Sequence, residues 1–474
     1  MNIYAQILRR KPPAAVMADL YQVHTGLKRA LGPLDLTALG IGAIIGAGIF
    51  VLTGVAASQI AGPAIILSLV LDGIACSMAA LCYAELATMV PLAGSAYTYC
   101  YATMGELVAW IIGWDLVLEY AVGAATVAVG WSGYFTLILK GLGLRLPDAL
   151  THAPFTRPGA IINLPAVLVV LVMSAILYVG ISESARVNSF IVGIKLLSIA
   201  IVIVVGAFFV EKRNWSPFAP YGLLGITRGA GYMFFAFIGF DALSTVAEEA
   251  KNPNRDLPIG ILGSLSICTV LYMLVACVVT GMQSYRTLDL NAPLASAFFE
   301  RGLSFISGII SIGAVAGLTS VQLVLMLGQS RIFFAMSRDG LLPKAFSRVH
   351  PRFRTPTIPT ILTGIAVAAM AGLLPIDLVA ELTNIGTLFA FVLVCLGVWV
   401  LRVLEPTAPR PFTVPFVPWV PLLGVVFCGI LMVSLKPLTW VRFLIWLFVG
   451  LIVYFLYGRK HSKLNAQNQL KAAE

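Results

Sequence analysis

Charge and histidine are both scarce in this chain. Only 11% of the 474 residues are Asp, Glu, Lys or Arg, and only four are histidine. His24, His152, His350 and His461 all fall in loops or tails between the apolar runs, leaving no histidine at membrane depth for catalysis or metal binding. A polytopic membrane enzyme would need a clustered nucleophile, a metal site or an acid–base pair, so this absence argues against an enzyme. The seven cysteines (Cys76, Cys82, Cys100, Cys268, Cys277, Cys395 and Cys428) lie in or beside apolar runs with no metal-ligand spacing. They suit small buried residues and argue against a disulfide framework. No stretch before residue 31 has the apolar core of a cleavable signal peptide, so the first span is expected to be retained.

What the chain has in abundance is apolar sequence: 59% of its residues are hydrophobic and the mean hydropathy is +0.95. Runs long enough to cross a hydrocarbon core of about 30 Å recur along its length. They predict twelve spans, near 36–52, 64–90, 107–129, 162–178, 190–210, 231–247, 259–282, 305–326, 361–374, 382–401, 420–435 and 441–456. The ninth and eleventh are short. The expected organisation is a tail over 1–30, one transmembrane domain over 31–457 and a tail over 458–474. The longest pieces outside the spans are the first tail, the segment 140–161 and a connector over 331–359, where Gly340 and Pro343 read as a helix stop and turn. With the N-terminus inside, roughly 20 Lys and Arg fall on cytoplasmic segments and about 10 outside, which predicts two cytoplasmic termini. The formal charge of +10 is then a topology signal and not a nucleic-acid footprint.

Two spans are weakened by glycine. The first carries Gly40, Gly42, Gly46 and Gly48 in G-I-G-A-I-I-G-A-G-I-F (40–50), and the sixth carries Phe237-Ile238-Gly239-Phe240-Asp241. Glycine costs about 1 kcal/mol per helix position relative to alanine, so both invite unwinding. Unwound backbone survives in a bilayer only where it is buried or lines a cavity, and paired breaks in two halves point to a transporter's binding site. Five spans precede the second break. Five is odd, so the second unit enters the membrane from the opposite side and the halves form a five-plus-five inverted repeat.

Such breaks suit a small zwitterion. A second half-helix starting near Gly46, Ala47, Gly48 and Ile49 presents unpaired N–H groups and a positive dipole end to an α-carboxylate. The carbonyls of Ile44, Phe235, Ala236 and Ile238 lose helical partners and can accept from an α-ammonium. The competing explanation is close helix packing, which also uses small residues. Intramembrane charge adds Lys195, Glu119 and Asp241, each costing about 2.5–3.5 kcal/mol at mid-membrane on insertion scales and so a functional candidate. Snorkelling of Lys195 and capping of the following half-helix by Asp241 are the alternatives. Asp72, Glu85 and Asp115 stand closer to turns or span ends.

Four stretches stand out: I-G-A-I-I-G-A-G-I-F (41–50), Y-A-E-L-A-T-M-V-P-L-A-G-S-A-Y-T-Y (83–99), F-F-A-F-I-G-F-D-A-L-S-T-V-A-E-E-A-K-N-P (234–253) and G-Q-S-R-I-F-F-A-M-S-R-D-G-L-L-P (328–343). In these the sequence resembles the amino acid–polyamine–organocation superfamily, within its cationic amino acid transporter branch. The resemblance implies an all-α integral membrane fold with substrate held at discontinuous first and sixth helices. It implies proton-coupled symport of L-amino acids across the cell membrane by alternating access, with an exchanger on the same fold as the alternative. Lys195 matches the fifth-span lysine that replaces a sodium ion in proton-coupled relatives, Phe235 the aromatic gate, and Glu119 and Asp241 acidic positions of the branch. One departure is Ala47, where relatives often have threonine, so a hydroxyl near the carboxylate site is lost. Bacterial members of the branch can prefer neutral substrates. The implied partners are an L-amino acid, a proton and the lipid bilayer, with no nucleic acid, cofactor or metal. A small single-span subunit is left open.

Overall fold

The computed structural model describes Arg10 and residues 31–90, 95–154, 156–180, 185–353 and 355–464. Apart from Arg10, the expected tail over 1–30 lies outside the described residues, as does 465–474 of the other tail. Among the described residues there are eight helical stretches long and apolar enough to cross a membrane, accompanied by four shorter apolar helices. They assemble into twelve crossings. The first, α1, is Pro33–Ile44 followed after a break by the helical turns Gly48–Leu52, Thr53–Ala56 and Ala57–Ala61. Then come α2 (Ile65–Met89), α3 (Glu106–Gly141), α4 (Leu164–Val179) and α5 (Ala185–Ala207). The sixth, α6, is Gly222–Met233 continued by 3₁₀ turns over Phe234–Phe237 and Asp241–Glu249. It is followed by α7 (Pro253–Met282), α8 (Ser304–Arg338), α9 (Thr357–Leu373), α10 (Ile376–Leu404), α11 (Trp419–Ser434) and α12 (Pro437–Val453).

The helix starts follow local chemistry. Pro33, Pro253 and Pro437 open α1, α7 and α12, where the missing N–H costs nothing. Asn163 caps α4 by accepting from the Ala166 N–H at 3.3 Å. The connector after α8 begins later than its sequence predicts, because α8 stays helical to Arg338 and stops at Gly340, whose φ of +83° suits glycine alone. Helix α3 also outruns its expected end near 129. At 36 residues it is about 54 Å long, more than the bilayer core needs, so it must tilt or project.

The inverted repeat is visible in which helices pack together. Helix α2 packs on α7, α3 on α8 and α4 on α9, so each element lies against its counterpart five crossings later. Helix α5 packs on α1 and α8, and α10 correspondingly on α6 and α3. Helices α11 and α12 stand outside this arrangement. Helix α12 is tied to α3 by Trp114 and Trp446, which stack at 4.6 Å and each donate to the other's backbone carbonyl at 2.9 and 3.0 Å.

A buried ion pair fixes α2 to α10. Glu85 is 1% exposed; it accepts from Arg402 at 2.9 and 2.7 Å and from the Val414 N–H at 2.7 Å, with Arg410 at 3.3 Å. This gives Glu85 a structural role. Removing one partner of a buried pair costs about 3–5 kcal/mol because the other charge is left uncompensated. Glu85→Ala is therefore expected to lower the thermal unfolding temperature of the purified protein sharply. An unchanged melting curve would refute that role.

Candidate substrate site at the two helix breaks

The first break falls at Ile45–Gly46. Ile45 is extended (ψ 99°), and the chain returns to helical dihedrals at Ala47 (φ −58°, ψ −26°) before the π-helical turn Gly48–Leu52. The second falls at Ile238–Gly239, where Ile238 is extended (ψ 135°) and Gly239 has φ +124°. Both breaks stand where the glycine pattern predicts them.

The two breaks interlock. A Cβ at Gly48 would lie 2.2 Å from the Cα of Ala236, and one at Gly239 would lie 2.7 Å from the carbonyl oxygen of Ala43. Each unwound segment thus rests on the other helix through a glycine. Gly46 is different: its nearest neighbour is the Val321 side chain on α8, at an ordinary 3.4 Å. Packing explains Gly48 and Gly239, then, while Gly46 is free of that constraint. Ile44, Ala47, Ile49, Phe235, Ala236, Ile238 and Asp241 are all buried around this junction.

Of the four carbonyls expected to face an α-ammonium, two already accept a hydrogen bond. Ile44 accepts from the Tyr272 hydroxyl of α7 at 2.9 Å, and Phe235 from the Ile238 N–H at 3.3 Å. Each carbonyl keeps a second lone pair. The start of the second half of α1 is covered by Phe50, whose N–H donates to Gly46 at 3.3 Å and whose carbonyl accepts from Tyr134 at 2.5 Å. The aromatic positions also divide. Phe234, Phe237 and Phe240 are held by ring contacts to Phe391, Tyr272 and Tyr83, whereas Phe235 makes none among the described residues.

Lys195 of α5 is fully buried and does not snorkel. Its Nζ donates to the Gly42 carbonyl at 2.6 Å. That carbonyl would serve the Gly46 N–H in an unbroken helix, so the ammonium replaces the partner lost at the break. Gly317 of α8 makes room: a Cβ there would lie 2.9 Å from the lysine Cε. Asp241 accepts from the Gly239 N–H at 3.2 Å and so also supports the left-handed turn of its own break. Glu119 on α3 is 2% exposed and, among the described residues, its carboxylate is aligned for no hydrogen bond, with the Thr387 hydroxyl of α10 close by. It stands near enough to Asp241 and Asp115 to feel their charges. Asp72 and Asp115 are likewise buried, and their carboxylates make no hydrogen bond among the described residues.

Two residues were not singled out from the sequence. Tyr272 engages the first break, and Asn384 of α10 donates to the carbonyls of Gly231 and Tyr232 at 2.8 Å each, just before the second. The signal for Asn384 was a polar amide inside an apolar span, the kind of residue that hydrogen-bonds between membrane helices. At the end of the bundle above the second half of α1 lies a cavity of about 520 Å³ whose lining includes Gln59, Thr151, His152, Asn163, Asp289 and Asp377. Partial burial and the neighbouring Arg157 push the His152 imidazole below its ordinary value, so it faces this cavity as a neutral ring at pH 7.

The family model for amino acid permeases matches residues 31–458. The chain belongs to the amino acid permease family. Among similar proteins, the branched-chain amino acid permease BcaP of Bacillus subtilis is 51% identical, with 94% of this chain and 97% of that protein covered. The methylthioribose transporter of the same organism is 47% identical over 97% of this chain and all of that protein. The vacuolar cationic amino acid transporter 4 of Arabidopsis thaliana is 32% identical over 97% and 96%. All three are named as transporters or permeases, so this permease is a multi-pass membrane transporter of the superfamily its motifs resemble, and not an enzyme.

Proposed function

We propose that this permease is a proton-coupled symporter of L-amino acids, with the end of the bundle carrying Leu31 and His461 facing the cytoplasm. The observation that carries the coupling is the Lys195 ammonium on the Gly42 carbonyl. A fixed positive charge there does what a bound cation would do, and a charge that can be lost by deprotonation can switch. Protonated, Lys195 braces α5 against the first half of α1; deprotonated, it releases that hold and lets the halves rearrange. Substrate binding at the breaks favours one arrangement. The α-carboxylate lies at Gly46, Ala47, Gly48 and Ile49. The α-ammonium lies at the carbonyls of Ile44, Phe235, Ala236 and Ile238, with Asp241 behind the turn. Glu119 acts in the gating and proton network.

A second substrate reading has its own support, since one relative of 47% identity is named for methylthioribose, which has neither an α-ammonium nor an α-carboxylate. Purified protein in proteoliposomes distinguishes the two. Radiolabelled leucine, alanine, arginine and methylthioribose are offered in turn, with the pH gradient and sodium varied separately. Acid outside is expected to drive amino acid accumulation severalfold, with no effect of sodium. Uptake that required amino acid preloaded inside would make the protein an exchanger, and uptake of methylthioribose alone would remove the zwitterion site.

A further inference from the structure

We infer that Asn384 is a positioning residue that holds the upstream half of α6 at the substrate site, the counterpart on α10 of the Lys195 brace on α5. The repeat makes α5 the counterpart of α10 and α1 that of α6, and the packed pairs α5–α1 and α10–α6 each carry a buried side-chain donor aimed at backbone. Lys195 reaches Gly42 at 2.6 Å, three residues before the extended Ile45. Asn384 reaches Gly231 and Tyr232, both at 2.8 Å, where α6 changes from α-helix to the 3₁₀ turn Phe234–Phe237. Tightening from i→i−4 to i→i−3 bonds shifts carbonyls out of line at that point, and such transitions mark hinges. An amide with two donors suits two adjacent carbonyls. The carbonyl acceptors also fix which end of the side chain points at α6, because only the nitrogen can donate. Asn384 is fully buried and its Oδ1 has no partner, so the contacts to α6 are the ones it makes among the described residues.

The two braces differ in one respect. An ammonium can lose its charge, and with it much of its strength as a donor, by deprotonation; a carboxamide cannot. The α10–α6 contact therefore persists whatever the pH and yields only to substrate-driven movement. Neighbouring charges do not take over this role, since a carboxylate cannot donate to a carbonyl: on α10 Glu381 is held by Lys436 and Thr439, both at 2.7 Å, and Asp377, in the first turn of the helix, lines the cavity and is close enough to act on the Tyr232 hydroxyl. The upstream half of α6 carries one charged residue, Arg228.

The test compares Asn384→Ala and Asn384→Asp. Apparent KM is read from exchange of whichever of leucine, alanine or arginine the wild type carries best, with equal pH on both sides. This holds whether or not uptake is proton-driven. Losing two bonds to buried carbonyls is expected to raise KM about tenfold or more in Asn384→Ala, uniformly across pH. A carboxylate can donate to neither carbonyl, but the protonated acid can donate to one. Asn384→Asp should therefore match Asn384→Ala at pH 8 and recover toward wild type at pH 5, each measured relative to wild type at the same pH. Equal KM for both variants at every pH, or a wild-type KM in Asn384→Ala, would overturn the assignment. So would loss of folded protein in both variants at every pH, which would make Asn384 a packing residue only.

Discussion

Lys195→Gln is expected to lose amino acid uptake by about 10- to 100-fold and to lose the pH dependence of what remains. The size follows from the contact: a hydrogen bond from a charged group contributes about 1.5–3 kcal/mol, and 1.4 kcal/mol is a factor of ten. Glutamine is long enough to reach toward Gly42 and can donate, but it does not titrate, so any residual brace would be permanent. Lys195→Ala removes the donor altogether and leaves a void beside Gly317, so it should lose transport at least as severely. Uptake into proteoliposomes over pH 5–8, with both variants matched for reconstituted protein, measures this. A Lys195→Gln protein that kept the full wild-type pH profile would place the coupling proton elsewhere. Glu119 would then be the first residue to examine, since it is buried and close enough to Asp241 and Asp115 to feel their charges.

The helix breaks were legible because the sequence feature and the structural event are local: four glycines within nine residues, or a glycine followed by a carboxylate, weaken a helix where they stand. Lys195 was legible for a similar reason, since a lysine inside an apolar run must find a partner wherever the fold puts it. The identity of that partner was not. Gly42 is 153 residues away in sequence, and Tyr272 is 228 residues from Ile44. Such pairs are set by the inverted repeat, and no window of sequence contains both members. The same holds for Glu85, which looked like a minor membrane acid until Arg402 and Arg410 were seen against it. The length of α3 was underestimated because its last third carries Gly130, Ser132 and Gly133, which dilute the apolar run without breaking the helix. The inverted repeat itself followed from counting spans together with the paired breaks, although the two halves share no residue-level identity.

Gly48 and Gly46 separate what packing needs from what binding needs. From sequence the two are equivalent, both being glycines at the first break. In the structure a single methyl at Gly48 would fall 2.2 Å from a backbone carbon of α6, which cannot swing aside as a side-chain end could. Overpacking of this kind costs about 1–3 kcal/mol and sometimes more, and here it would also part the two breaks that form the proposed site. Gly48→Ala is therefore expected to lower the melting temperature without substrate and to lose the further stabilisation that substrate gives; Gly48→Leu should do so more severely. Gly46→Ala meets only Val321 at ordinary contact distance, so it should fold as well as wild type. Its effect should appear in substrate affinity alone, through the stiffer unwound backbone and the methyl group beside the expected carboxylate position. Thermal unfolding of all three proteins with and without a carried amino acid measures both quantities. A Gly48→Ala protein with wild-type stability and wild-type substrate response would mean that α1 and α6 do not meet as closely as the interlocked breaks require, and the site between them would have to be placed elsewhere.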